Sequence, residues 1–425
     1  MKKDLIQKKE KIRFLGIPVG RRVYLPASIK TYLFGIKVGK RKYNAVQEKI
    51  IERQKYVFAK EDCKELLIVN SDSIGDYILS RNFLREIKNS EKYKDYKIVL
   101  LGSEKYKDFA EYLDTDVVDK FLWMPDRPQE KSLQEQEQIR DDLHKKQGMK
   151  HYYDTIIFSS FNSSWKKNAH NVILSQVLFR ENIIHNDYPI PSISCNEFLM
   201  YTHVYTNYNA ATMFDFDLSK GFFEDLLEKE IPIKYPYIEG DKINSNCNLI
   251  KDIKNDYVAI NPCAYNNFRM WHLENWSQII QYLANEKKLD VILVCSQGEK
   301  EYCEQLAELS DIKNIKVFAG LSVSDLLSVL NSAQLYIGQD SGIFHVAAAL
   351  NIRALCLSSG MEYFRFMNYP KECENIRVIF PIGVEEWINK NIETNLSLVK
   401  TVNCFHINAL KVRQVKEQID AFLKA

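Results

Sequence analysis

The sequence predicts an α/β protein of two doubly wound, Rossmann-like domains preceded by a basic extension. Three observations predict it. Two runs of short apolar strands alternating with helical stretches are separated by an irregular, aromatic-rich segment at 200–245. Connections within each run are short, which implies parallel strands covered by helices on both faces. The length, 425 residues, exceeds what one hydrophobic core fills.

The first run reads as strand 65–70 (ELLIVN), helix 76–88, and strands 97–101, 117–124 and 154–159, with a very polar helical stretch at 129–147. The second begins with strand 257–261, helix 274–285, strand 290–295, helix 299–309 and strand 316–318. Helix 323–331, strand 335–337, helix 341–350 and strand 354–357 complete it. The expected organisation is an arm over 1–62, a first domain over 63–245 and a second over 246–390. A segment over 391–425 follows, ending in a helix placed to pack back on the first domain.

Composition narrows the class. Hydrophobic residues at 46% and charged residues at 27% are ordinary for a soluble globular protein. No apolar run reaches the roughly 18 residues of a membrane-spanning helix. The start, MKKDLIQKKEKIRFLGIPVG, lacks the apolar stretch and small-residue cleavage site of a secretory signal, so a cytoplasmic location is expected. The nine cysteines are odd in number and form no CxxC pair, which argues against a disulfide framework or a zinc site. Cysteines in VILVC and ALCLS read as small core hydrophobes.

Charge is unevenly placed. Residues 1–60 hold 17 Lys/Arg against 4 Asp/Glu, while the whole chain carries only +2. The arm also repeats itself: KIRFLGIPVGRR at 11–22 is echoed by KTYLFGIKVGKR at 30–41. Two readings fit. One is a peripheral anchor whose cations meet an anionic membrane at about 1 kcal/mol each. The other is a pair of hairpin-like segments on the body of the protein, with solvated cations. No nucleic-acid partner is expected.

Three motifs sit where strands end, the edge at which open α/β sheets bind ligands. The first is NSDSIGD at 70–76, in which Gly75 permits close backbone approach and Asp76 stands at the start of a helix. Asp76 fits either an N-cap or a group facing a ligand. The second, NPCAYNNFRMWHLENW at 261–276, carries one cation, Arg269, suited to a phosphate because guanidinium binds two oxygens and stays charged. An exposed arginine beside packed Trp271 and Trp276 is the plainer alternative. The third is GQDSGIFHVAAAL at 338–350, where a helix beginning near Ser341 presents N–H groups and a positive dipole end to an anion. Asp340 fits a cap or an acceptor of sugar hydroxyls, and His345 faces either ligand or sheet. No Walker A or GxGxxG sequence occurs, which lowers the case for an NTPase or a dehydrogenase.

In this order the motifs resemble those of glycosyltransferase family 9, the ADP-heptose:lipopolysaccharide heptosyltransferases. The family's SxIGD, HPGA with K/R-x-W, and D-[ST]-G-x-x-H-x-A-A read here as Ser73-Ile-Gly75-Asp76, Asn261-Pro-Cys-Ala264 with Arg269-Met-Trp271, and Asp340-Ser341-Gly342-Ile343-Phe-His345-Val-Ala-Ala. The likeness covers about residues 64–385 and includes the Gly298-Glu299 turn.

The resemblance implies a GT-B fold with its active site between the domains. It places the general base on Asp76 and the diphosphate-binding cation on Arg269. Asp340, Ser341, Gly342 and Ile343, with His345 alongside, become the helix-terminus phosphate site. Glu299 becomes the nucleoside ligand, and Ser73, Gly75, Ala264 and Tyr265 supporting loop positions. It also implies an inverting, metal-independent transfer from a nucleotide sugar, ADP-heptose foremost, to a saccharide or lipid-linked saccharide of lipopolysaccharide type. No cofactor is expected beyond that co-substrate. The Asp114-Thr-Asp116 match to a DxD pair lies ahead of an early strand and reads as a turn. The family's HPGA is NPCA here, with Asn261 and Cys263, and the usual proline after Trp271 is His272, which leaves open other donor sugars, other glycan acceptors in capsule or flagellin synthesis, and a nucleotide-sugar-binding relative without turnover.

Overall fold

A computed structural model describes residues 63–126, 131–160, 203–207, 212–251, 253, 255–391 and 405–424, together with the backbone of strands within 8–42 and 178–186. The chain forms two compact units. One comprises Met1–Asp72, Tyr93–Lys105 and Val118–Tyr208; the other comprises Ser73–Lys92, Tyr106–Val117 and Asn209–Ala425.

The first unit contains two sheets. Strands β1 (Lys8–Phe14), β2 (Ile17–Leu25), β3 (Ser28–Leu33) and β4 (Ile36–Lys42) form an antiparallel meander. Its registers slip between Ile12 and Arg13 in the first hairpin and between Thr31 and Tyr32 in the second, equivalent positions of the sequence repeat. The repeat is therefore one bulged hairpin made twice, each bulge bending and twisting its strand. Whether the arm's cations meet a membrane turns on side chains that lie outside the described residues.

The larger sheet is all parallel. It comprises β5 (Glu65–Asn70), β6 (Lys97–Ser103), β7 (Lys120–Met124), β8 (Tyr152–Phe158), β9 (Leu178–Asn186) and β10 (His203–Thr206), ordered β10-β9-β8-β5-β6-β7. Leu67, Val69, Val99, Leu101, Leu122 and Phe158 pack one of its faces. β7 starts later than the sequence suggests, because Val117 closes a turn on the carbonyl of Asp114.

The second unit repeats this order with β11 (Tyr257–Asn261), β12 (Asp290–Cys295), β13 (Ile315–Ala319), β14 (Leu335–Gln339), β15 (Ala354–Leu357) and β16 (Ile376–Ile379), arranged β13-β12-β11-β14-β15-β16. Both sheets thus reverse direction beside their first strand, the switch point where such folds bind ligands. Ten helices of this unit matter below: α1 (Ile74–Ser80), α2 (Asn82–Lys88), α3 (Lys107–Leu113), α4 (Asp215–Leu227) and α5 (Leu273–Gln281), then α6 (Lys300–Ser310), α7 (Val323–Asn331), α8 (Gly342–Ala349), α9 (Val384–Asn391) and α10 (Val412–Lys424). Ile78, Phe109 and Leu113 from α1 and α3 share a core with Tyr336, Phe344 and Val346.

Asp114, half of the DxD match, is buried at the end of α3. It accepts hydrogen bonds from Arg81 and from the Tyr77 hydroxyl. The irregular segment after residue 212 holds α4, whose Phe216 and Phe223 lie against Phe83 at centroid distances of 5.2 and 5.1 Å. At the C-terminus, Val415, Ile419 and Phe422 of α10 join the core around β11 and Trp271. Asp420 pairs with Tyr282 and Lys287 in the same unit. The apolar stripe of this helix packs beside α5 in its own unit.

The two site-bearing helices, α1 and α8, touch through glycines. A Cβ on Gly342 would lie 2.8 Å from Ile74 Cβ and 3.3 Å from the Gly75 nitrogen, and one on Gly75 would lie 2.7 Å from His345 Cδ2. Gly342→Ala is expected to lower stability by about 1–3 kcal/mol, as overpacking does. Gly240→Ala, where nothing lies within 4 Å, should stay within about 0.5 kcal/mol. Denaturant midpoints compare the two, and equal midpoints would mean that α1 moves aside freely.

Candidate functional site

Asn261 ends β11 beside the end of β14. Its amide donates to the Val294 carbonyl at 2.8 Å, and its Oδ1 accepts the Ser341 hydroxyl at 3.2 Å. This bridge fixes Ser341, in extended geometry, as the N-cap of α8. Gly342 and Ile343 open the helix, so their N–H groups belong to the first turn, whose donors have no partner within a helix. The partial positive charge at such an end favours an anion.

Arg269 reaches the same edge from the loop after β11. Its Nη1 donates to Asp340 Oδ1 at 3.1 Å and to the Asp340 carbonyl at 3.4 Å, and Nη2 lies 3.8 Å from Met361 Sδ. Three buried polar groups here find no hydrogen-bond partner among the described residues: Arg269 Nε, the Gln339 side-chain amide and Asp340 Oδ2. Buried polar groups are normally satisfied, so orphans gathered at a sheet's switch point are the mark of a binding surface. Burial pushes the Asp340 carboxyl up to about 6, against the opposing charge of Arg269.

Asp76 arrives on α1. Ser73, not Asp76, is the N-cap of this helix; Asp76 is its third residue, and Oδ2 accepts the Ser73 N–H at 3.2 Å. That leaves Oδ1 facing Arg365 Nη2 at 3.7 Å. Burial raises the Asp76 carboxyl above its ordinary range, opposed by Arg365, by the Ser73 and Asp76 N–H groups and then by Arg269. A raised carboxylate held by cations is suited to accepting a proton.

His345 is 3% exposed and stacks among Phe344, Phe366 and Tyr369, with Nδ1 2.7 Å from the Tyr369 hydroxyl. Burial, aided by Arg269, pulls it down to about 3, so the ring is neutral at pH 7.

The site thus brings together Asp76, Arg269, Asp340, Ser341, Gly342, Ile343 and His345, with Ser73 and Gly75 behind them. Glu299 is placed elsewhere on the same sheet edge, in the turn after β12, where Oε2 accepts from Ser296 N at 2.9 Å and Ser296 Oγ at 2.6 Å. Ala264 is buried, whereas Tyr265 is 72% exposed in the Arg269 loop. Sequence reasoning missed Arg365, Asp215 and Gln339. A cation after β15, at the sheet's carboxyl end, was the available signal for Arg365. Among the described residues no group of three or more His, Cys, Asp or Glu is arranged to hold a metal ion, and no helix is long and apolar enough to cross a membrane.

Solved structures share this architecture. Escherichia coli heptosyltransferase WaaC with ADP matches with a TM-score of 0.60 at 17% identity, over 84% of this chain and 99% of that one. The structure of E. coli ADP-heptose lps heptosyltransferase II gives 0.59 at 15%, over 84% and 98%. A family 9 glycosyl transferase from Veillonella parvula gives 0.60 at 14%, over 86% and 99%. The architecture is therefore a GT-B fold with two Rossmann-like sheets. Residues 185–378 match the model of glycosyltransferase family 9 (heptosyltransferase). Lipopolysaccharide heptosyltransferase 3 of E. coli strain K12 is 27% identical over 114 residues, which is 26% of this chain and 33% of that protein. A second E. coli lipopolysaccharide heptosyltransferase 3 is 24% identical over 142 residues, 33% of this chain and 41% of its own. The match spans between a third and about two fifths of these relatives' length.

Asp340 and His345 make opposite contributions to stability. Asp340, raised to about 6, contributes stability that is fully present below its ordinary 3.8 and lost as pH rises through 6. His345, depressed to about 3, contributes stability present above its ordinary 6.5 and lost as pH falls through 3. Between about pH 4 and 6 their slopes oppose. Asp340→Asn should make stability climb more steeply with pH in that window, and His345→Gln should make it climb less. Denaturant midpoints across the window check this; variants parallel to the parent would remove both residues from the titration.

Proposed function

We propose that this chain is an inverting, metal-independent glycosyltransferase that moves a sugar, heptose foremost, from ADP-heptose to a hydroxyl of a lipopolysaccharide-type acceptor. The observation that carries the reading is the joint placement, in one compact unit, of the Asp76 carboxylate, the Arg269 guanidinium and the N-terminus of α8. Asp76 takes the proton of the acceptor hydroxyl as its oxygen attacks the anomeric carbon from the face opposite the leaving group. The departing nucleoside diphosphate gains negative charge, met by Arg269 and the first-turn N–H groups of α8. These fixed positive groups stand where other transferases use a divalent ion. Neutral His345 adds no competing charge, and Glu299 is positioned to accept hydrogen bonds from the nucleoside.

A lipid-linked acceptor places the reaction at the inner face of a membrane, and the basic arm over 1–60 supplies the attraction to anionic lipid. The protein is then cytoplasmic and peripheral. Cys263 and His272, which depart from the family pattern beside Arg269, favour a second reading: the same chemistry with another nucleotide sugar, in capsule, flagellin or other glycan synthesis.

Asp76→Asn should cut turnover by about 10²–10⁴-fold while donor binding persists. Unchanged transfer would refute the base. Arg269→Ala should weaken nucleoside diphosphate binding by about 10–100-fold, the worth of a charge-assisted contact, and titration calorimetry with ADP reads it. Equal affinity would remove Arg269 from the phosphate site. Thermal stabilisation across a panel of sugar nucleotides separates ADP-heptose from other donors, because the shift follows affinity.

A further inference from the structure

Arg365 lies on a tight turn of five residues, Tyr363–Met367, that follows β15. The chain is steered there by Gly360 at φ 90° and by Glu362, a non-glycine residue at φ 55°. A left-handed glutamate costs free energy, and such residues persist where surrounding structure requires the geometry. What the turn delivers is one guanidinium between two carboxylates. Arg365 Nη2 is 3.1 Å from Asp215 Oδ1, Nε donates to the same oxygen at 3.2 Å, and Nη2 is 3.7 Å from Asp76 Oδ1. Glu362 Oε2 lies 3.9 Å from Nη1, and the guanidinium carbon sits 4.7 Å from the centre of the Phe366 ring. Asp215 is itself fixed, buried at the first position of α4. A carboxylate there is favoured by the helix's positive end.

We infer that Arg365 is a positioning residue for Asp76: clamped by Asp215 and laid on Phe366, it holds the Asp76 carboxylate in the charge state and orientation that proton acceptance requires. This rests on the reading of Asp76 as the base. The two contacts of Asp76 divide the work. Oδ2 is tied to the Ser73 N–H, and Oδ1 is turned toward the guanidinium. Arg365 is the largest influence opposing burial at Asp76, ahead of the backbone N–H groups and of Arg269. The charged or titratable groups around Asp76 are Arg365 on this turn and Glu362 just before it, Asp215 on α4, Arg269 on the loop after β11, His345 on α8 and Asp340 just before that helix. Asp215 competes with Asp76 for one cation, so it anchors the arginine and also restrains how strongly Asp76 is stabilised.

The test is the pH dependence of kcat/KM in the full-length protein, with ADP-heptose as donor. Arg365→Met should move the acidic limb to higher pH by about one unit, because a buried carboxylate that loses its cation protonates more readily. Arg365→Lys should restore most of the shift. Asp215→Asn should move the limb the other way, since the freed guanidinium turns to Asp76. A residue acting only in packing would lower activity without moving the limb or reversing its direction. If Arg365→Met does not fold, the Lys and Asn variants decide: limbs coincident with the parent in both would overturn the inference. Failure of the underlying reading is distinguished by Asp76→Asn. Retained turnover there sinks the base assignment, whereas lost turnover with an unmoved limb in the arginine variants sinks only the role of Arg365.

Discussion

The site depends on a contact made almost without side chains. Gly75 on α1 and Gly342 on α8 let two helices meet at backbone distance, with Ile74 and His345 filling the remaining space. A methyl group at either position would push the helix that bears Asp76 away from the N-terminus of α8. The polar features gather around that contact. Asp76 lies near enough to Arg269 to feel its charge, and Arg269 is near enough to Asp340 to pair with it. Ser341 is held by Asn261, which in turn hangs on β12. Close packing supplies the distances, and the electrostatics act over them.

The charges are arranged for exchange rather than for permanent pairing. Arg269 is neutralised by Asp340, yet its Nε and Asp340 Oδ2 are buried without hydrogen-bond partners among the described residues. A half-satisfied buried pair is a poor source of stability. It is a reasonable surface for a diphosphate, which offers oxygens to the guanidinium more readily than one buried carboxylate does. Burial pushes the Asp340 carboxyl up, against the opposing charge of Arg269, so its ionised form is held less firmly than that of a surface carboxylate. Neutral His345, packed in an aromatic wall, gives shape without adding charge.

Much of this was legible in the sequence because local patterns and tertiary demands agree there. ELLIVN, YVAIN and ALCL are apolar through their centres and became buried parallel strands, and the three strand-ending motifs lie where the switch-point rule expects ligands. The misses have physical causes. β9 (LFRENIIHN) carries an arginine and a glutamate within a strand, so its composition does not resemble a buried run. Residues 215–227 place aspartates and phenylalanines so that helical spacing emerges only against Phe83. Of the two roles the sequence left open for Asp76, the N-cap falls instead to Ser73, three residues earlier. Arg365 was hidden because its partners, Asp76 and Asp215, are far from it along the chain and only folding assembles them.

Compactness adds a last step. The helix bearing Asp76 follows a strand of the first sheet in sequence, yet residues 73–92 and 106–117 belong to the unit that holds Arg269 and α8. Arg81 reinforces that membership: its buried guanidinium binds Asp114 on one side, and the Tyr237 carbonyl and Glu239 on the other. Removing one partner of such a buried pair typically costs about 3–5 kcal/mol. The distance between the proposed proton acceptor and the proposed phosphate site is thereby fixed inside one body. Under the proposed mechanism, reacting groups must be held to within fractions of an ångström. A chain that commits α1 to the unit holding Arg269 and α8 meets that demand through its own core.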